Sequence, residues 1–267
     1  MAALPEGWQC LSSAPATEAA AEISVTVSFN TLDGPPPPSL RVKVCRLMDV
    51  ACLAPIATLT TDPQGAVTFR TATSPATAGL PAGFSGFLEV TDDAALGGAG
   101  GGGSAGGGQA SDRAFMPSLV FFEAPIPVDA VRPPYLEAIT LFRRVEFTAL
   151  VLQGNVSYKG DRGHAFIYAQ DCALQRAPNV RLKISHVEAD TVEFYLAGGL
   201  PSDVALVTDV TGFGGFVQAP VDYLTITGSL WDTATNAALA PIGSVRMQTR
   251  PDWITYARLA PAAASPR

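Results

Sequence analysis

"VKVCRLMDVACLAPIATLTTDPQGAVTF", residues 42–69, decides the fold class. Val42 and Val44 alternate with Lys43 and Cys45, the two-residue period of a strand with one buried face. A corner carrying Cys45, Asp49 and Cys52 interrupts the run. After Ala-Pro a second run begins, "ATLTTD". Asp62-Pro63-Gln64-Gly65 puts proline and glycine where a β-turn favours them, and "AVTF" resumes on the far side. Short alternating runs punctuated by turn residues predict β-structure.

The same grammar extends outward. "EISVTVSF" (22–29) alternates Ile23, Val25, Val27 and Phe29 with Ser24, Thr26 and Ser28. "DGPPPPS" (33–39) is a loop, because four prolines supply no backbone donors. "GFSGFLEVT" (83–91) and "FMPSLVFFEAPIPV" (115–128) are further strands. Between them, "GGAGGGGSAGGG" (97–108) matches G-x-G-x-x-G only because it is nearly all glycine; without a following Lys-Ser/Thr it reads as a flexible surface loop. "PPYLEAITLFRRV" (133–145) is the exception to the β pattern. Leu136, Ile139, Phe142 and Val145 recur every third residue behind an early proline, which predicts a short helix joining two halves. From 148 onward "TALVLQGNVSY", "GHAFIYAQD", "NVRLKISH", "DVALVTDV", "GGFVQAP", "DYLTITGSLWD", "GSVRMQTR" and "WITYARLAP" restart the strand pattern. Their spacing of roughly eight to twelve residues is that of an all-β sandwich.

The two halves read as diverged copies. Each has a strand, an Asp- and Cys-bearing corner, Ala-Pro, another strand, Thr-Asp-x-x-Gly, a phenylalanine and an aromatic-bearing strand; "YAQDCALQRAP" stands opposite the Cys45 corner. The expected layout is an extended lead-in 1–19, a first module 20–131, a helical connector 132–147 and a second module 148–262. On "TDPQG-AVTF-PAGFSGFLEV" and "TDVTGFGGFVQAPVDYLTIT" this text resembles the carboxypeptidase regulatory-like modules. Over residues 8–260 the wider wording, such as "GWQCL", "EFYLAGGLP" and "RPDWITYARLAP", is similar to surface and secreted proteins of myxobacteria. The resemblance implies an all-β chain of two tandem transthyretin-like or Ig-like β-sandwiches. It also implies a non-enzymatic structural, adhesive or partner-binding role in a bacterial envelope or secreted protein. The glycine-rich insertion, the connecting helix and an insertion at 186–203 depart from the simplest module.

Charge excludes one class of partner. Net charge is −7, from 17 basic and 24 acidic residues, and no basic cluster exceeds Arg143-Arg144, so the footprint of a nucleic-acid binder is missing. No apolar run reaches the ~20 residues needed to span a bilayer. The four cysteines, Cys10, Cys45, Cys52 and Cys172, fit neither the C-x₂-C pairs of zinc ribbons nor a redox C-x-x-C. Cys45 and Cys52 suit a staple across a β-corner, which leaves Cys10 and Cys172 to tie the lead-in to the second half; sequence alone does not choose among the three connectivities. Four reduced thiols in a cytosolic protein would cost the fold little, but disulfides are the favoured expectation, and they imply an oxidising compartment, outside the cell or in its envelope, with a leader absent from this chain.

Catalytic candidates are sparse. Two histidines, His164 and His186, lack a second ligand nearby, and no G-x-S-x-G elbow or HExxH occurs. A hydrolase would need one of them within reach of a nucleophile, so no catalytic residue, metal ligand or cofactor is assigned. Asp92-Asp93 and Glu188, Asp190 and Glu193 are paired carboxylates by count alone. The binding alternative is a carbohydrate platform made by Tyr223, Trp231, Trp253 and Tyr256. The expected partner is a protein or glycan at the cell surface.

Overall fold

Strand β1 (Glu22–Thr31) buries Val25, Val27 and Phe29 and exposes Ser24, as a period of two requires. It belongs to a computed structural model that describes residues 4–12, 22–32, 34, 39–72, 83–92, 115–127, 139–153, 156–202 and 204–261. The glycine-rich stretch 97–108, residues 133–138 of the expected helix and Asp93 lie outside the described residues. After β1 come β2 (Leu40–Arg46), β3 (Ala57–Thr60), β4 (Ala66–Ala72), β5 (Gly83–Asp92), β6 (Ser118–Pro127) and β7 (Ile139–Leu141). The helix α1 (Arg144–Gln153) follows, then β8 (Gly163–Ala169), β9 (Val180–Ile184), β10 (Val192–Ala197) and β11 (Leu200–Ser202). The chain closes with β12 (Phe213–Ala219), β13 (Tyr223–Asp232), β14 (Ala237–Gln248) and β15 (Ile254–Leu259).

These strands form three sheets. The long one has the order β11-β10-β12-β8-β15-β6-β5-β2-β3, flanked by three-stranded sheets β4-β1-β7 and β14-β13-β9. One core joins β1 and β4 to the long sheet through Val25, Phe29, Val42, Leu88, Val120 and Phe69. The other joins β9, β13 and β14 to it through Leu182, Ile226, Val245, Ile167, Phe121 and Leu259. Residues that alternate along β6 therefore enter different cores: Val120 and Phe122 face one, Leu119 and Phe121 the other. The architecture is all-β, two sandwiches that share one sheet.

The halves are copies at the level of single hydrogen bonds. Leu40 N–H donates to Thr61 Oγ1 at 2.9 Å while Thr61 N–H donates to Leu40 O at 3.0 Å. Val180 and Thr208 exchange the same two bonds at 3.0 and 2.9 Å. Asp62 Oδ1 accepts from Gln64 and Ala66, and Asp209 Oδ1 from Thr211. Gly65 and Gly212 then take positive φ, 73° and 62°, where a side chain would be strained, and their carbonyls accept from Phe29 and Ala169. Hence β1 corresponds to β8, β2 to β9, β4 to β12, β5 to β13, β6 to β14 and β7 to β15. Antiparallel pairs β1–β4, β2–β5 and β5–β6 recur as β8–β12, β9–β13 and β13–β14, and the parallel pair β1–β7 recurs as β8–β15. A parallel pairing of β6 with β15 then fuses the two copies into the long sheet.

Three expectations change. Residues 139–143 of the expected helix are not helical: Ile139–Leu141 is a strand beside β1, and α1 occupies Arg144–Gln153, over the "TALVLQ" that the sequence pattern predicts as a strand. Glu146 reaches back to accept the Arg143 N–H at 2.8 Å, half of a capping box, and this fixes the start. Phe147 and Val151, four residues apart, bury one face against the core, which overrides the strand preference of the β-branched residues. "DVALVTDV" forms no strand over its described residues 204–210. The cysteine corners are not counterparts either, since Cys45 lies near the end of β2 and Cys172 follows β8, whose equivalent is β1. Their texts look alike because Asp49 and Asp171 each accept N–H bonds from residues just ahead in the chain.

Candidate functional site

The cysteines form two bonds, Cys10–Cys172 and Cys45–Cys52, with Cα atoms 5.7 and 5.4 Å apart. At the second, the Asp49 carboxylate accepts from Ala54 and Leu53, and those bonds hold it below its ordinary pKa. At the first, the 3-10 turn Gln9–Ser12 is pinned: Cys172 N–H donates to Gly7 O at 3.0 Å and Trp8 is buried in the second core.

The four rings of the expected aromatic platform stand in different surroundings. Tyr256 is 1% exposed and donates to Thr140 O. Trp253 packs against the second core with Arg250 over its ring at 4.7 Å. Trp231 carries Arg181 on its face at 4.5 Å and bonds Asn236. Tyr223 is exposed, but it stands at the opposite end of β13 from Trp231. Two of the four rings are thus faced by arginine, one is enclosed and Tyr223 stands apart from Trp231 along β13.

His164 lies in the joint between the copies and is fully buried. Its Nδ1 accepts from Gln218 N–H at 3.3 Å, and its ring packs on Phe147 and Tyr158. Nε2 has no hydrogen-bond partner among the described residues. Burial pushes its pKa down to about 4, against a smaller opposing pull from Asp252. Asp252 is itself held by a bidentate Arg144, at 2.6 and 2.5 Å, and by the Tyr158 hydroxyl. His186 is exposed just past β9. Glu188 and Asp190 pair with Arg162, and Asp190 also with Lys159; Glu193 accepts from Tyr195. Among the described residues no group of three or more His, Cys, Asp or Glu could hold a metal ion.

A second joint involves Arg250. It donates to Glu89 Oε2 at 2.7 Å and to Val50 O at 2.9 Å, so it grips both β5 and the Cys45–Cys52 corner from the second half. Burial raises the Glu89 carboxyl, but the hydrogen bonds and charges of Lys43 and Arg250 outweigh it, and the net pKa is lowered. Arg250→Met is expected to lower the unfolding free energy by about 1–2 kcal/mol, read from urea titrations at pH 7. A loss under about 0.5 kcal/mol would reduce this contact to an ordinary surface pair.

A cavity of about 410 Å³ with a largely apolar wall opens on the long sheet, over β8, β10 and β12. Phe142, Phe147, Phe166, Tyr168, Phe194 and Phe213 supply its rings. Phe166 meets Phe194 at 5.2 Å and Phe213 at 5.3 Å between centroids, both edge to face. Arg176 lies 3.9 Å over the Tyr168 ring and donates to Thr211 O. Sequence reading missed this site because its rings come from separate strands. One signal was present: all seven residues of β8, "GHAFIYA", are buried, so that run lacks the alternation of a strand with one wet face.

No protein-family model and no curated protein matches the chain. Among solved structures, the shaft pilin spaA from Lactobacillus rhamnosus GG is similar at 10% identity and TM-score 0.23, over 90% of this chain and 98% of that one. The Bacillus anthracis TIE protein gives 12% and 0.23, over 90% of this chain but 34% of that one. A streptococcal ancillary pilin gives 11% and 0.23, over 90% and 68%. Likeness at that level bears no weight on function. Among the described residues no helix is long and apolar enough to cross a membrane.

Proposed function

We propose that this chain is a non-enzymatic structural, adhesive or partner-binding module of a bacterial envelope or secreted protein, built from two related sandwiches. The proposed bounds are a lead-in 1–19, copies at 20–131 and 148–262 and a connector 132–147 whose strand β7 completes the sheet of the first copy, with the carboxypeptidase regulatory-like family as the relative. One observation carries the reading. Residues 170–172 hold both flanks of the folded region: Gln170 N–H donates to Leu259 O at 2.9 Å, Cys172 N–H to Gly7 O, and Cys172 is bonded to Cys10. A unit clamped together at one corner leaves its far surface free to meet a partner. Two disulfides support an oxidising compartment. The partner is then a protein or glycan met at the cell surface.

The test is the thiol state of protein exported to a periplasm and purified without reductant. We expect no cysteine to react with iodoacetamide before reduction, and peptide mapping to return Cys10–Cys172 and Cys45–Cys52. Four reactive thiols in native, folded protein would contradict both the compartment and the corner attachment.

A further inference from the structure

We propose that the cavity over β8, β10 and β12 binds a small uncharged aromatic molecule of two or three rings. The inference goes beyond the structural, adhesive or partner-binding role and does not depend on it.

Three features that set the second copy apart from the first meet at this place. One lies on the sheet. Strand β1 turns Ser24, Thr26 and Ser28 outward and β4 turns Ala66, Thr68 and Arg70, all exposed or half-exposed as on a wet sheet face. At the equivalent positions β8 carries His164, Phe166 and Tyr168, and β12 carries Phe213, Gly215 and Val217. Polar positions of one copy are thus largely aromatic or apolar in the other. Another is the insertion at 186–203, which forms the antiparallel pair β10–β11. Strand β10 joins β12 with Val192 opposite Val217, whereas β3, at the same point of the first copy, pairs with β2. The last is helix α1 between the copies, which brings Phe147 and Val151 to the altered face. A floor from β8 and β12, one wall from β10 and β11 and another from α1 bound a space of about 410 Å³. That volume falls within the range of small-molecule sites, roughly 300–1,000 Å³. An apolar cavity of about 150 Å³ holds one benzene, so this one has room for two or three rings.

The wall selects an uncharged guest. Its polar side chains Arg176, Thr211 and Ser202 are engaged within the protein. Arg176 lies over the Tyr168 ring and donates to Thr211 O at 3.2 Å. Thr211 Oγ1 donates to Asp209, and Ser202 Oγ accepts from Ala205 N–H at 3.2 Å. A charged guest would give up its hydration with little to replace it, and an apolar guest gives up none. The rings select a flat body. Phe166 meets Phe194, Phe213 and Phe142 edge to face at centroid distances of 5.2 to 5.9 Å, and an aromatic guest extends that arrangement.

The probe is N-phenyl-1-naphthylamine, an uncharged dye whose fluorescence rises in apolar surroundings. Titrated into the native protein, it should bind saturably at one site per chain, and 2-naphthol should displace it. Naphthalene-2-sulfonate, the same rings with a charge, should displace it at least about tenfold less well, the size of a polar group buried without compensation. Decahydro-2-naphthol, the saturated counterpart, should displace it about threefold less well for want of a π face. Val192→Trp, at a half-buried wall position, should fill the cavity and weaken the dye at least about tenfold. If that variant fails to fold, Leu196→Trp, at another half-buried position of the same wall, takes its place with the same expected loss. Non-saturating binding, displacement by the sulfonate or the saturated alcohol equal to that by 2-naphthol, or binding untouched by the filling variant would each overturn the proposal.

Discussion

Replacing Cys10 and Cys172 together by serine is expected to cost the oxidised protein about 5 kcal/mol of unfolding free energy. The bond joins residues 162 apart in sequence, and in the chain-entropy account a cross-link restricts the unfolded ensemble more as its loop lengthens. Cys45–Cys52 spans only 7 residues, so its removal is expected to cost about 2.5 kcal/mol on the same account. The larger loss has a structural side as well. Without the bond, Trp8 and the turn Gln9–Ser12 depend on the Gly7–Cys172 hydrogen bond and on apolar packing to stay in the second core. Guanidinium titrations of the wild type and the two double-serine variants, without reductant, measure both costs. A Cys10/Cys172 variant that loses less than the Cys45/Cys52 variant would contradict the assigned role of the long staple.

Acid is expected to remove about 3 kcal/mol through His164 alone. Its folded pKa of about 4 lies below the unfolded value near 6.5, so the folded state prefers the neutral ring. Between those values the unfolded chain binds more protons than the folded one. The contribution is therefore complete above about pH 6.5, falls as pH drops toward 4, and levels off below. The groups around the ring do not reverse this sign. Asp252 favours the charged ring, Arg144 opposes it, and burial exceeds both. Glu89 acts in a separate window, because its lowered pKa supplies stability present above the ordinary carboxylate range and lost as pH falls further. Stability measured by urea at half-unit steps from pH 7.5 to 4 should slope in the wild type and flatten in His164→Leu. An unchanged slope in that variant would assign the acid sensitivity elsewhere.

Local chemistry was legible and long-range pairing was not. Alternation along "EISVTVSF" and the Thr-Asp-x-x-Gly corners carry strands β1, β4 and β12 in their own residues, because each turn is closed by bonds only a few positions apart. The β6–β15 joint brings Ser118 opposite Ile254, and nothing near either residue encodes that meeting. Helix α1 begins later than the three-residue period predicts, because that period also fits a three-residue strand followed by a helix. The deciding bond, Glu146 to the Arg143 N–H, was one capping pair in a polar stretch. The cavity escaped notice because apolar side chains on both faces of "HAFIYA" look the same whether the second face meets a sheet, a helix or a ligand.

The attachment of both flanks at one corner is tested most directly by pulling single molecules from handles at the two termini. In the oxidised protein the force passes from Cys10 to Cys172 through sulfur, so the intervening chain is shielded. At about 3.4 Å per extended residue, the full extension should fall short of that of the reduced protein by roughly 550 Å. Equal full extensions in the two states would contradict the clamp.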